Sequence, residues 1–384
     1  MRKLAVVILA IALLAAAVFA FLPPLIEAIL NRMQRRPPYR APDWARMLAA
    51  DEVDLHADPL LWGRDLLQRG SRGHVDLPRL LEVGALLQVF GVVTQAPLGM
   101  NVTRNPSDAA DMITALAMVS RWPWHTWQSR RGRALYLAQR LRETAARSAG
   151  RLVLVLSRAD LDVLLAQRRA GSHAVGAMLG LEGSQALEGN LESISALFAA
   201  GFRMMAPTHF VDTEISGSAH GEHKGGLTPL GRRWLATLEG KRILVDLAHA
   251  SPHTFQDVLA AASRPVVVSH TGVKATCDSP RNLSDDQLRA LAKNGALVGI
   301  GYWKTATCGT DAAAIARAMR HAAEVMGVEH VALGSDFDGA VKEPFDATGL
   351  PLLAEALRAE RFTDAQIRSI ISANATAFLS KYLP

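Results

Sequence analysis

With 384 residues, 49% of them hydrophobic and 20% charged, the chain can bury a large core, which excludes a disordered polymer and suits one large α/β barrel. The net charge of +6 hints at nucleic acid only until it is located: residues 1–40 hold six Lys/Arg against Glu27 alone, and the remainder holds 36 basic and 35 acidic residues. No basic groove is expected on the folded body, so nucleic acid is not an expected partner.

The first element is apolar. Arg2 and Lys3 precede LAVVILAIALLAAAVFAFL, residues 4–22, a stretch without a charge. That length suits a transmembrane helix and exceeds the apolar region of an ordinary signal peptide. The VFA ending at Ala20 also fits a cleavage site, so an uncleaved anchor over 1–22 and a removable leader both stay open, with the anchor favoured. Residues 23–50, including NRMQRRPPYR, read as a juxtamembrane linker; the patterned body lies beyond position 40, so deleting 1–40 is expected to leave its activity intact. Basic residues flank the apolar run on both sides, which leaves its orientation open. The two cysteines, Cys277 and Cys308, fit reduced thiols in a cytosolic protein or a disulfide outside it.

From residue 51 to 384 short apolar runs alternate with helical patterns. The runs are EVDLHADPLLW (52–62), LLQVFGVVTQ, RLVLVLSR (151–158), VGAMLGLEG (175–183), FRMMAPTH (202–209), RILVDLAH (242–249), RPVVVSH (264–270), ALVGIGYW (296–303) and HVALGSDFDG (330–339). Strands buried on both faces read this way in a parallel sheet covered by helices. Nine runs compete for the eight positions of a (β/α)8 barrel, and RLVLVLSR is the expected extra strand.

Six of these runs finish in a group that can bind a metal. His56 and Asp58 end the first, on one face of a period-2 strand. Glu182, His209, His249, His270 and Asp336 end five others. In a (β/α)8 barrel the C-terminal strand ends converge on one mouth, where active sites sit. Each residue alone is an ordinary polar strand end; together they outnumber the ligands of one tetrahedral zinc and fit two ions bridged by a carboxylate. His125, His173, His220, His223, His253, His321 and His330 lack this placement and read as loop or surface residues. RWPWHTW (121–127), with Trp122, Trp124 and Trp127, reads as a packed loop, or as a rim over the site or membrane surface.

The H-x-D of DLHADP, the glutamate of GLEG, THF, DLAHAS, the SH followed eleven residues later by Arg281 in SPRN, and GSDFDG together resemble the membrane dipeptidase (renal dipeptidase-like) family over residues 51–384. The resemblance implies a TIM-like barrel of the metal-dependent hydrolase type, with two Zn²⁺ per subunit, that cleaves dipeptides through a metal-bridging hydroxide. It implies that His56 and Asp58 hold one zinc, that His249 and His270 hold the other, and that Glu182 bridges them. His209 would stabilise the oxyanion, Arg281 would grip the substrate carboxylate, and Asp336 would hold the amine and shuttle the proton. It also implies a Cys277–Cys308 disulfide, and with it a membrane-anchored enzyme facing the periplasm. The expected partners are a small dipeptide and, through the N-terminal helix, the membrane, with a homodimer left open. Leu55, Ala57, Ser184 and Asp212 depart from the family pattern and bear on substrate preference. The competing readings are a related binuclear amidohydrolase acting on a lactam, lactone or N-acyl amino acid, and a metal-free binding protein on the same fold.

Overall fold

The computed structural model describes residues 2–384, with side chains for all of these except Arg2, Ala5 and residues 11–16. Nine strands form in chain order: β1 (Val53–Ala57), β2 (Leu87–Val93), β3 (Leu152–Leu154), β4 (Val175–Glu182), β5 (Phe202–Met205), β6 (Leu244–Val245), β7 (Val267–Thr271), β8 (Leu297–Ile300) and β9 (Val331–Leu333). All pairings are parallel, in the order β6-β5-β4-β2-β1-β9-β8-β7. The expected extra strand is β3, which lies off this path: it pairs with Val175–Ala177 at the start of β4, while β5 pairs with Leu179–Leu181 on the same strand. The sheet is curled, and its two end strands approach through one parallel bridge, Asp246 to Val267, in place of a continuous ladder.

One apolar cluster draws a side chain from every strand of the path, including Leu55, Val89, Met178, Met204, Leu244, Val267, Leu297 and Ala332, and fills the interior below the strand ends. Helices cover the outside. Their ends follow local chemistry: Asp76, Thr228 and Ser251 cap helices that begin with or just before proline, and Gly84, Gly201 and Gly295 end three helices, the first of them the one Asp76 caps, in the left-handed conformation.

The amino-terminal segment departs from expectation. Arg2–Leu30 forms one helix that runs through Pro23 and Pro24. Among the described residues no helix is long and apolar enough to cross a membrane, and the middle of the expected span, residues 11–16, lies outside the described side chains. Residues 23–50, expected to be a linker, are built into the body instead. Glu27 is buried and ion-paired to Arg64, with Arg72 at 3.4 Å. Asn31 Oδ1 accepts from the Ala340 amide at 2.9 Å, and the Gln34 and Arg35 amides donate to Glu343 and Pro344 carbonyls at 2.7 and 3.0 Å. Asp43–Ala49 then forms a short helix packed on the Leu350–Ala359 helix. The physical reason is that Glu27 and Asn31 have buried partners some 40 and 300 residues further along the chain.

Candidate active site

The strand ends carry the site. His56 lies in β1 and Asp58 just after it; the register of β1 on β2 shifts between Asp54 and Ala57. Leu55 points into the interior cluster, so unbroken alternation would send Ala57 there too; the irregularity turns His56 and Asp58 to the mouth instead. Glu182 is the last residue of β4, His270 lies in β7, and His209, His249 and Asp336 follow β5, β6 and β9 by a few residues. His249 and Asp336 both hold φ of 63°, the left-handed region that non-glycine residues visit at a cost.

All seven converge. Glu182 Oε1 lies 2.8 Å from His249 Nε2, 3.3 Å from His270 Nε2 and 3.6 Å from His209 Nε2, while Oε2 lies 3.7 Å from His56 Nε2. His56 Nε2 is 3.4 Å from Asp58 Oδ2, and the His56 and His270 rings stack at 3.9 Å. Three groups place ligand atoms within 4.8 Å of one another: His56, Asp58 and Glu182; Glu182, His209 and His249; and His56, His270 and Asp336. The first is the expected set for one ion, with Glu182 shared as a bridge should be. The other two differ from the expected His249–His270 division, because His209 reaches the Glu182 side and Asp336 the His270 side.

Electrostatics fit a cation. Burial pushes the Glu182 carboxyl up, but the imidazoles of His209 and His56 more than reverse it and hold it well below the carboxylate range. Burial, with the Arg281 charge adding to it, holds His249 well below the ordinary histidine range; burial followed by His56 does the same for His270. Both are therefore neutral imidazoles, the form that ligates metals. His56 Nε2, which faces the cluster, and Asp58 Oδ1 are buried without hydrogen-bond partners, a cost that a bound ion would relieve.

Buried groups behind the ligands aim them. Asp246 accepts from the Ser269 amide and hydroxyl at 2.9 and 2.6 Å, and Ser269 Oγ sits 2.9 Å from His270 Nδ1, turning Nε2 to the site. The Gln95 carbonyl, 3.2 Å from His209 Nδ1, does the same for that ring. Gly91 on β2 leaves the room that His56 and Asp58 occupy: a Cβ there would sit 2.3 Å from Asp58 Oδ1 and 2.7 Å from His56 Cε1. These supports were missed from sequence, although a glycine interrupting an apolar run is a usable sign of close approach.

Arg281 lines the same cavity. It is buried, donates to the His270 carbonyl at 2.7 Å, and lies 5.8 Å from the centre of the Trp303 ring. Among the described residues no carboxylate lies within 4 Å of it; burial pulls its pKa down to about 10, still charged at neutral pH. Cys277 and Cys308 form a disulfide between the loops after β7 and β8, near Arg281 in sequence. Asp212, the departure after THF, organises its own loop by accepting from the Ser218 and His223 amides at 2.8 and 2.7 Å.

One expectation is corrected. His220, expected in a loop or on the surface, is buried in the cavity, stacked on Phe210 at 4.4 Å with Nε2 unpartnered. Burial and the Arg281 charge lower its pKa to about 3, so it is neutral. Its signal was absent because no apolar run precedes it. In RWPWHTW, Trp122 is buried on Tyr136 and Trp127 donates to the Trp122 carbonyl at 3.0 Å, while Trp124 is exposed.

The chain has relatives. The chain is 31% identical over 250 residues, 61% of its length and 90% of the relative's, to an uncharacterized protein in the pqqA 5' region of Klebsiella pneumoniae. Among solved structures it is similar to a metallopeptidase from Rhodobacter sphaeroides liganded with a phosphinate mimic of the dipeptide L-Ala-D-Ala, at 23% identity and a TM-score of 0.69 over 87% of this chain and 99% of that one. It is also similar to the probable dipeptidase PvdM from Pseudomonas aeruginosa, at 14% identity and a TM-score of 0.72 over 88% of this chain and 98% of that one. These two likenesses show the fold. Residues 47–381, which span the whole cluster from His56 to Asp336, match the membrane dipeptidase family, peptidase family M19, and the chain belongs to that family of metallodipeptidases.

Proposed function

We propose that the enzyme hydrolyses dipeptides bearing a free C-terminal carboxylate, using two zinc ions. His56, Asp58 and Glu182 hold one ion, and Glu182 with His249 and His270 holds the other, His209 standing alongside. When bound, the pair supplies a Lewis acid and brings the pKa of coordinated water toward neutrality. The chain does the rest. His209 donates Nδ1–H to the Gln95 carbonyl and, with Nε2 also carrying a proton, donates from Nε2 to the oxygen that gains charge as the peptide carbonyl is attacked. Asp336, within ligand distance of His56 and His270, holds the substrate amine and carries the proton to the leaving nitrogen.

The observation that carries the reading is Arg281: a buried guanidinium in the cavity of the Glu182 cluster, which among the described residues has no carboxylate within 4 Å and feels Asp336, Glu182 and Asp246 only from further away. A buried cation needs an anion, and a substrate carboxylate can meet it with two parallel hydrogen bonds. The test compares a dipeptide with its C-terminal amide. The enzyme should strongly prefer the acid; Arg281→Ala should lose about 2–4 kcal/mol in kcat/KM for the acid alone, at unchanged metal content. Equal wild-type rates on acid and amide would sink the assignment.

The N-terminal helix is read as an attachment to a membrane, supported by the uncharged run 4–22 and by exposed Leu4, Val6, Ile8, Leu9, Phe19 and Phe21. The disulfide supports a catalytic body outside the cytoplasm, on the periplasmic side, since such bonds persist in oxidising compartments.

A further inference from the structure

The cavity holding Glu182, His209, His270, Arg281 and Asp336 does not end at the metal cluster. It has a volume of about 650 Å³ and continues between the N-terminal helix and the Met112–Val119 helix. Leu22, Ile26 and Leu30 line it from the first, four residues apart on one face; Ala115, Leu116 and Val119 line it from the second. Leu98, two-thirds exposed, sits at its edge. Beyond the site residues this lining is almost wholly apolar. A dipeptide of small residues is smaller than the drug-sized ligands that fill cavities of roughly 300–1,000 Å³, and it would leave these walls wet.

Resting on the reading just given, we infer that the acyl side of the scissile amide carries a long apolar chain, which lies between these two helices while Arg281 holds the carboxylate on the amine side. The polar demands of the reaction are met by groups already placed at the cluster. The helix that supplies Leu22, Ile26 and Leu30 is also the one with the uncharged run, so an amphiphile could reach the cleft along it. The shared chemistry has two sources: a dipeptide whose first residue bears a long apolar side chain, and a fatty N-acyl amino acid.

The test uses the full-length, zinc-loaded protein in phosphatidylcholine nanodiscs, which avoids detergent competing for the cavity. One substrate series is X-Ala with X running from alanine through norleucine to 2-aminodecanoic acid; the other is N-acyl-alanine from acetyl to decanoyl. In at least one series kcat/KM should rise on the order of fourfold per methylene over the first several carbons, the transfer value of a buried CH₂, and the rising series identifies the source. Ala115→Trp, which fills the cavity, and Ile26→Gln, on a half-buried position, should each lower the long-to-short ratio. A ratio taken within one variant is insensitive to the fraction of folded protein. A flat or falling dependence in both series, with Ala-Ala still cleaved, overturns this inference and leaves the dipeptidase reading standing. Failure of the metal-loaded enzyme to cleave any member of either series overturns both.

Discussion

Gly91 shows how narrowly a single position can govern the site. His56 and Asp58 occupy the volume that any other side chain at residue 91 would need, and the nearest contact would be 2.3 Å. Gly91→Ala must therefore push the carboxylate and the ring off the mouth. The expected outcome is a loss of about 10–100-fold in metal affinity and in activity, the range seen when supports of metal ligands are removed, with the fold intact by circular dichroism. Metal content after dialysis checks it; a fully loaded, active Gly91→Ala enzyme would contradict the geometry. Asp338 illustrates a second residue-scale device. Burial raises its pKa, but Arg64 first and His74 next reverse this and hold it well below the carboxylate range. A depressed folded pKa contributes stability that is present above the unfolded value near 4 and is lost as pH falls below it. Asp338→Asn should thus cost up to about 3–5 kcal/mol at neutral pH and flatten the acid limb of the stability profile, measured by denaturant unfolding between pH 7 and 3.

Among elements, the N-terminal segment differs most from its reading in the sequence. Removing residues 1–20 leaves Glu27, Asn31 and the bridge of Met33 to Glu343 in place. Removing 1–40 takes them all, at roughly 1 kcal/mol for each hydrogen bond lost, and opens one wall of the cleft. The shorter truncation should keep its melting temperature and kcat/KM; the longer should lose several degrees and most activity, checked by thermal melts and steady-state rates. The strands were legible as apolar runs, and the clustered side chains were legible because six of those runs end in them. The docking of residues 23–40 was not, since Glu27 finds Arg64 and Asn31 finds Ala340 only in the folded chain. His220 was hidden for a similar reason: its burial comes from Phe210 and the Val102 carbonyl, 2.8 Å from Nδ1, which no local period announces.

Across the whole molecule, the site is assembled from strands that touch little along the sequence. The path from β6 to β7 is continuous through the other six strands, yet these two end strands share only the Asp246–Val267 bridge, the Leu247 amide bonded to the Val267 carbonyl at 2.8 Å, and the Asp246–Ser269 hydrogen bonds. His249 follows the first of those two strands and His270 lies in the second, with their Nε2 atoms 3.0 Å apart. An ion bound there would act as a rivet across the weakest seam of the curled sheet. Catalytic metal and mechanical closure would then be one and the same, and the apo protein would breathe at this seam first. Hydrogen exchange should report it: on chelation, amides of residues 244–247 and 267–270 should exchange faster by about 10²-fold, the change expected when a ligand held at 100 times its dissociation constant is withdrawn. Amides along the β2–β4 ladder should keep their protection, and equal acceleration in both places would mean that the rivet is not there.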